Sequence, residues 1–178
     1  MTKYQLVKLM LLAGGLESRK RVQKTAYLLQ AAGCPLGLDF RLHYYGPYSA
    51  DLAGMLDQTT AVGILKETAR QTTVGTQYDY HFNEVFRESL EAFEQIRDGQ
   101  RAKHTMEEYG ALLHTLCRTR PRVLELASTI AMFHKAGHDW DEAVSETAAF
   151  KNEPPNSTTM GEARELAHAV VSSHHGET

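Results

Sequence analysis

The hexapeptide Tyr44-Tyr45-Gly46-Pro47-Tyr48-Ser49 stands between two stretches of helical periodicity, and that arrangement limits the fold more than any other feature. Upstream, Val22, Ala26 and Leu29 recur at spacings of four and three, widened by Tyr27 and Leu28 into an apolar stripe. Ser18 is placed to cap this helix, and Gly33 and Pro35 end it. Downstream, Leu52, Met55, Leu56 and Val62 predict the inward face of a second helix, opened by Tyr48 or Ser49 and closed by Gly63. Pro47 suits the first turn of that helix, where its missing N–H is not needed. Between the helices, Phe40, Leu42 and Tyr44 alternate with Asp39, Arg41 and His43, the pattern of a short strand or extended loop. Residues 64–70 and 78–82 read as two strands joined by a polar bend with Gly75. Helix, turn, helix and β-hairpin in this order predict a winged helix-turn-helix.

The flanks are helical. Thr2 and Gln5 form a capping box for a first helix with Leu6, Leu9, Met10 and Ala13 on one face, ended by Gly14-Gly15. After the wing, Asn83 caps a helix with Phe86, Leu90 and Phe93 inward, which Asp98-Gly99 terminates. The polar stretch 99–103 is the expected boundary between a winged-helix-like domain, 1–98, and a C-terminal helical extension, 104–173; one continuous unit is the alternative. The extension predicts a helix over 105–117, a second with Pro121 early in it and Gly137 after it, and a third opened by the Asp139–Glu142 capping box. A last helix is capped by Thr158 or Thr159, and residues 172–178 should fray. The predicted class is therefore mainly α: a winged helix-turn-helix with a small β-hairpin and a C-terminal helical bundle.

Composition narrows the function. No apolar run approaches the ~20 residues of a membrane helix, and no secretory pattern opens the chain, so a cytoplasmic location is expected. Cys34 and Cys117 lack CxxC or His-Cys spacing and read as buried or idle thiols. The net charge of −3 hides an asymmetry: residues 1–50 carry seven Lys/Arg against two Asp/Glu, and the remainder twelve against twenty. The basic front either meets an anionic partner or docks on the acidic remainder.

The candidate binding residues are Arg19, Lys20, Arg21, Lys24, Tyr44, Tyr45, Tyr48 and Ser49. The four cations crowd the first turns of a helix, where the dipole disfavours them, so an acidic neighbour, a phosphate or plain solvation accounts for them. The tyrosines flank a helix N-terminus. They either grip a peptide or phosphate there, or pack Tyr44 and Tyr48 into the core around a redirecting turn. As a DNA reader the chain is poorly equipped: the second helix exposes Ala50, Asp51, Gly54, Asp57, Gln58 and Thr59 and holds no Arg or Lys. The wing adds Lys66 and Arg70. His134 and His138 with Asp139 and Asp141 raise a metal reading, but Gly137 breaks the helix between the histidines and no HExxH glutamate is present; His174-His175 read as incidental. GxSxG, Walker and dinucleotide motifs are absent, so no catalytic residue and no cofactor is assigned. The apolar stretches 112–116 and 123–133 make either a core or a partner or homodimer surface.

Arg19-Lys20-Arg21-Val22-Gln23-Lys24, Tyr27-Leu28-Leu29-Gln30, His43-Tyr44-Tyr45-Gly46-Pro47-Tyr48-Ser49 and Asp51-Leu52, followed by Leu124-Glu125-Leu126-Ala127-Ser128-Thr129-Ile130, Trp140-Asp141-Glu142-Ala143 and Lys151, together resemble the YwgA-like family of uncharacterised prokaryotic proteins. The resemblance spans about residues 1–170. More distantly, the KxxYLLQ-like helix and the YGPxS-like turn look like the Panacea (SocA-like) domain of antitoxins and proteolytic adaptors. These resemblances imply a winged-helix N-terminal part with added helices and no established activity. The expected function is thus a non-catalytic, protein-binding module, antitoxin- or adaptor-like; the alternative is a winged-helix transcriptional regulator that binds DNA through the basic helix.

Overall fold

The computed structural model describes residues 1–73 and 75–173, so His174-His175 and most of the expected fraying tail lie outside the described residues. The first helix, α1 (Lys3–Ala13), has the reciprocal Thr2–Gln5 capping box and ends on Gly14 in a left-handed conformation. A two-residue strand, β1 (Leu16–Glu17), leads into α2 (Ser18–Ala31). Ser18 has φ 63°, and its hydroxyl accepts the Arg21 N–H at 3.3 Å, satisfying one free donor of the first turn.

The hexapeptide does not open a helix directly. β2 (Arg41–His43) and β3 (Gly46–Tyr48) pair antiparallel, with Leu42 opposite Pro47, and Tyr44-Tyr45 form the bend. Pro47 is therefore a strand residue, tolerated because a two-stranded ribbon leaves one N–H side unpaired. Ser49 then caps α3 (Ala50–Ala61), accepting the Leu52 N–H. In α3, Leu52 and Leu56 are buried as expected, but Thr59 is buried too, its hydroxyl donating to the carbonyl of Met55, while Val62 is 64% exposed. The strands β4 (Leu65–Thr72) and β5 (Gly75–Phe82) are longer than the sequence suggested, and β5 pairs with β1 on its other side, giving the antiparallel order β1-β5-β4.

A 3₁₀ turn (Glu84–Phe86), with Asn83 accepting the Val85 N–H, precedes α4 (Arg87–Gln95). Ile96 is extended, and α5 (Arg97–Glu108) starts beyond it. The stretch 99–103 lies within α5, so Asp98-Gly99 begins a helix rather than ending one. Gly99 is required there because a Cβ would collide with the Phe93 carbonyl at the α4–α5 kink. The helix expected over 105–117 is broken at Tyr109, and α6 (Gly110–Arg118) follows. Pro121 is the first residue of α7 (Pro121–Lys135), the Asp139–Glu142 box opens α8 (Trp140–Lys151), and Ser157, not Thr158 or Thr159, caps α9 (Thr158–Ser172).

The chain is thus mainly helical with a small antiparallel sheet. One hydrophobic cluster runs from Leu6 in α1 to Val171 in α9. At its centre α7 packs on α2, α8 and α9, and Ala127 and Ala131 of α7 and Ala163 and Ala167 of α9 are all solvent-free. Leu113, Leu116, Val123, Leu126 and Ile130 are buried in the chain's own core. The basic front also docks partly on the acidic remainder: Lys8, buried, pairs with Glu94 at 2.9 Å and Glu107 at 3.1 Å, and Tyr4 donates to Glu94 at 2.8 Å.

Candidate functional site

Residues 38–49 leave α2 and return to α3, and two glutamines of α2 clasp the ends of this segment. Gln23 donates to the Ser49 carbonyl and accepts the Ser49 N–H, both at 2.9 Å and both buried. Gln30 does the same to Leu38, at 2.9 and 2.8 Å. Each amide presents a donor and an acceptor side by side, which matches one residue's backbone. Tyr27 adds an edge-on contact with Phe40, ring centroids 5.1 Å apart.

Two lysines reach the hairpin, one from α2 and one from α8. Lys24 donates to the Pro47 carbonyl at 2.6 Å, and Lys151, at the end of α8, donates to the Tyr44 carbonyl at 2.9 Å. Gly46 has φ 88° and lies so close to α7 that a Cβ would come 2.6 Å from Thr129 Oγ1. The hairpin is therefore held by α2, α7 and α8 together.

What the clasp presents is aromatic. Tyr44 is 75% exposed, Tyr45 42% and Tyr48 40%, so neither Tyr44 nor Tyr48 packs in the core. The His43 ring lies 6.0 Å from Tyr45 and 5.5 Å from Tyr48, and Tyr44 meets Tyr45 edge-on at 5.0 Å. Beside these rings a groove of about 220 Å³ runs between α2, the hairpin and α3, lined by Arg19, Lys20, Lys24, Tyr45, Tyr48 and Leu56 among others.

The four cations have four different tasks. Arg21 donates to the carbonyls of Leu116, Cys117 and Thr119 at 3.0–3.2 Å and so caps the end of α6. Arg19 pairs with Asp57 at 2.6 Å and donates to the Tyr80 hydroxyl at 2.9 Å; that hydroxyl in turn donates to Glu67. Lys20 is exposed and lies over the Tyr45 ring, 3.6 Å from its centroid. Lys24 is 4% exposed. Burial, then the charge of Lys151, pulls its amine down to about 7, against the opposing pull of Glu125. Ser49, another expected binding residue, is fully buried as the α3 cap. Of the eight candidate residues, Lys20 and the three tyrosines share one open face, Arg19 stands at its edge, and Arg21, Lys24 and Ser49 serve the framework beneath.

Sequence reasoning missed the roles of Gln23, Gln30, Glu125 and His43. The signal for the glutamines was two polar residues embedded in the apolar stripe of α2, flanked by Val22, Ala26 and Leu29. The histidines near Gly137 do not converge: the His134 ring stacks on Trp140 at 3.8 Å, with Nδ1 2.9 Å from the His138 carbonyl. Among the described residues no group of three His, Cys, Asp or Glu side chains is placed to hold a metal ion, and no helix is long and apolar enough to cross a membrane.

No family model matches the chain. It is similar to the uncharacterized protein YwgA of Bacillus subtilis (strain 168), 26% identical over 129 residues that cover 72% of this chain and 72% of that protein. This similarity supports a YwgA-like family for the chain.

Proposed function

We propose that the chain is a non-catalytic interaction module whose clasped aromatic hairpin binds a protein partner. The observation that carries this reading is an exposed tyrosine cluster fixed by the buried Gln23 and Lys24 contacts and by the Lys151 bond to Tyr44. Rigid tyrosines give large contact area at low entropic cost, which suits a binding surface. We read residues 1–82 as a winged helix-turn-helix, supported by the order α1-β1-α2-α3-β4-β5 and the sheet order β1-β5-β4. The hairpin is then an insertion between the two helices of the motif. An antitoxin- or adaptor-like role agrees with the distant likeness to the Panacea domain. Affinity capture from a lysate of the source organism tests the reading, with the wild type beside a Tyr44→Ser/Tyr45→Ser variant. A discrete protein retained by the first and lost from the second is expected; no retained protein, or equal retention, overturns it.

The same element order favours a second reading, a DNA-binding regulator. Its difficulty is charge. α3 exposes Asp51 and Asp57, Arg19 is paired with Asp57, Arg21 caps α6, and Arg70 pairs with Glu17 and Asp79. Of the expected contact set, Lys20 and Lys66 are exposed and have no ion-pair partner among the described residues, while Lys24, also unpaired, is buried. Two phosphate contacts give a salt slope of about −2, far below that of dedicated DNA readers. Anisotropy of a labelled random duplex across salt concentrations decides this: tight, salt-steep binding abolished by Lys20→Ala and Lys66→Ala establishes the regulator.

A further inference from the structure

Charge and shape in the groove between α2 and the hairpin identify what it takes. Its wall carries Arg19, Lys20 and Lys24, with His43, Tyr45 and Tyr48 as aromatic sides and Val22, Ala53 and Leu56 beneath. Among the described residues no Asp or Glu lines it. Lys24 has no carboxylate within ion-pair distance among the described residues; its one hydrogen bond goes to the Pro47 carbonyl. A second cavity of about 120 Å³ beside the same lysine is lined by Lys20 and Arg21 and by two carboxylates, Glu17, which pairs with Arg70 at 3.6 Å, and Glu125. Glu125 is already engaged by Lys151 at 2.6 Å and Arg122 at 3.6 Å. The region thus buries a cation beside further cations with too few counter-charges, an expensive arrangement that an incoming anion relieves.

The kind of anion follows from which donors remain. Phosphate groups are held best by the planar fork of an arginine, and both arginines nearby are occupied, Arg19 by Asp57 and Arg21 by the α6 carbonyls. Two ammonium groups match a single carboxylate. The apolar and aromatic lining and the volume of about 220 Å³ match one large side chain attached to it.

We propose that this groove receives a carboxylate joined to an apolar side chain, presented by the partner protein as a C-terminal residue or as an acidic residue next to an apolar one. Lys20 and Lys24 take the carboxylate, and Tyr45 and Tyr48 flank the apolar group. This inference rests on the protein-binding reading and names the chemistry of the partner.

N-acetyl-phenylalanine, N-acetyl-phenylalanine amide and phenyl phosphate are the probes, titrated into ¹⁵N-labelled full-length protein. The free acid should shift the amide signals of Gln23, Lys24, Tyr45 and Tyr48 saturably, and the amide should bind about tenfold more weakly, the loss of one charge-assisted interaction. Lys20→Gln, an exposed position that the framework does not use, should weaken the acid about tenfold and leave the amide unchanged. Lys24→Met should do the same where it folds. Equal binding of acid and amide, or no shift in the groove, overturns the proposal, and tighter binding of phenyl phosphate reassigns the groove to phosphate and overturns it too. If the acid fails while tyrosine-dependent capture of a partner succeeds, the groove inference falls and the module reading stands. If the acid binds while no partner is captured, the carboxylate site stands and its presentation by a protein falls.

Discussion

Replacing Gln23 tests whether the hairpin is held as the geometry says. The side chain makes two buried hydrogen bonds of 2.9 Å to one residue, Ser49, which is fully solvent-free. Gln23→Ala leaves a buried N–H and a buried C=O without partners, each costing about 1–3 kcal/mol, and also empties space. Gln23→Met keeps most of the volume and removes only the polar contacts. The expected losses are about 3–4 kcal/mol for alanine and about 2–3 kcal/mol for methionine, or roughly 6–12 °C in melting temperature for a chain of this size. Urea unfolding measures the loss. Hydrogen exchange follows it: amides of residues 41–49 should exchange about 30-fold faster in the methionine variant, and core amides of α7 and α9 that open only on global unfolding should speed up in step with the urea result. A methionine variant within about 0.5 kcal/mol of wild type would show that Ser49 finds other partners and that the clasp is not what fixes the hairpin.

Other changes probe the same framework. Gly46→Ala places a Cβ 2.6 Å from Thr129 Oγ1 at φ 88° and should cost about 2–3 kcal/mol by urea unfolding, with the hairpin amides losing protection. Lys8→Met leaves Glu94 buried with only Lys103 and Tyr4 nearby, and a loss of about 3 kcal/mol is expected, recovered in part by Lys8→Met/Glu94→Gln. Lys24 should make stability depend on pH: its amine titrates at about 7 when folded against 10.5 ordinarily, so the unfolded chain binds the extra proton between those values. The penalty is complete below about 7, and stability relative to Lys24→Met rises by about 1 kcal/mol per pH unit above it. Urea midpoints of both proteins from about pH 6 to about pH 9 check the sign; a pH-independent difference contradicts a buried, charged Lys24.

Local signals in the sequence placed most helices correctly. The Thr2–Gln5 and Asp139–Glu142 boxes, Pro121 at the start of α7 and Ser49 before α3 each act within one turn, so their meaning does not depend on the rest of the fold. Pro47 misled because its fixed φ serves a strand of a two-stranded ribbon as well as a first helical turn. β1 was invisible since two residues carry no periodicity; Leu16 and Glu17 are a strand only because β5 lies beside them. The breaks at Ile96 and Tyr109 likewise follow from α5 turning back onto α1.

The candidate site was legible as composition and not as roles. Arg19, Lys20, Arg21 and Lys24 read alike in the chain, yet their fates are set by residues far along it: Asp57 for Arg19, the end of α6 for Arg21, and Pro47 for Lys24. The tyrosines stood out in the chain, but their exposure could not be read, because it depends on Lys151 bonding the Tyr44 carbonyl from α8 and on α7 packing against β3.

The central claim is that the hairpin meets another protein through Tyr44. Substituting a photoreactive benzophenone amino acid at that position and irradiating the cells tests it in place. A discrete adduct heavier than the chain, absent when the same group stands at the distant exposed Val85, is the expected result. The absence of any protein adduct at position 44, with the chain instead recovered on DNA, would contradict the account.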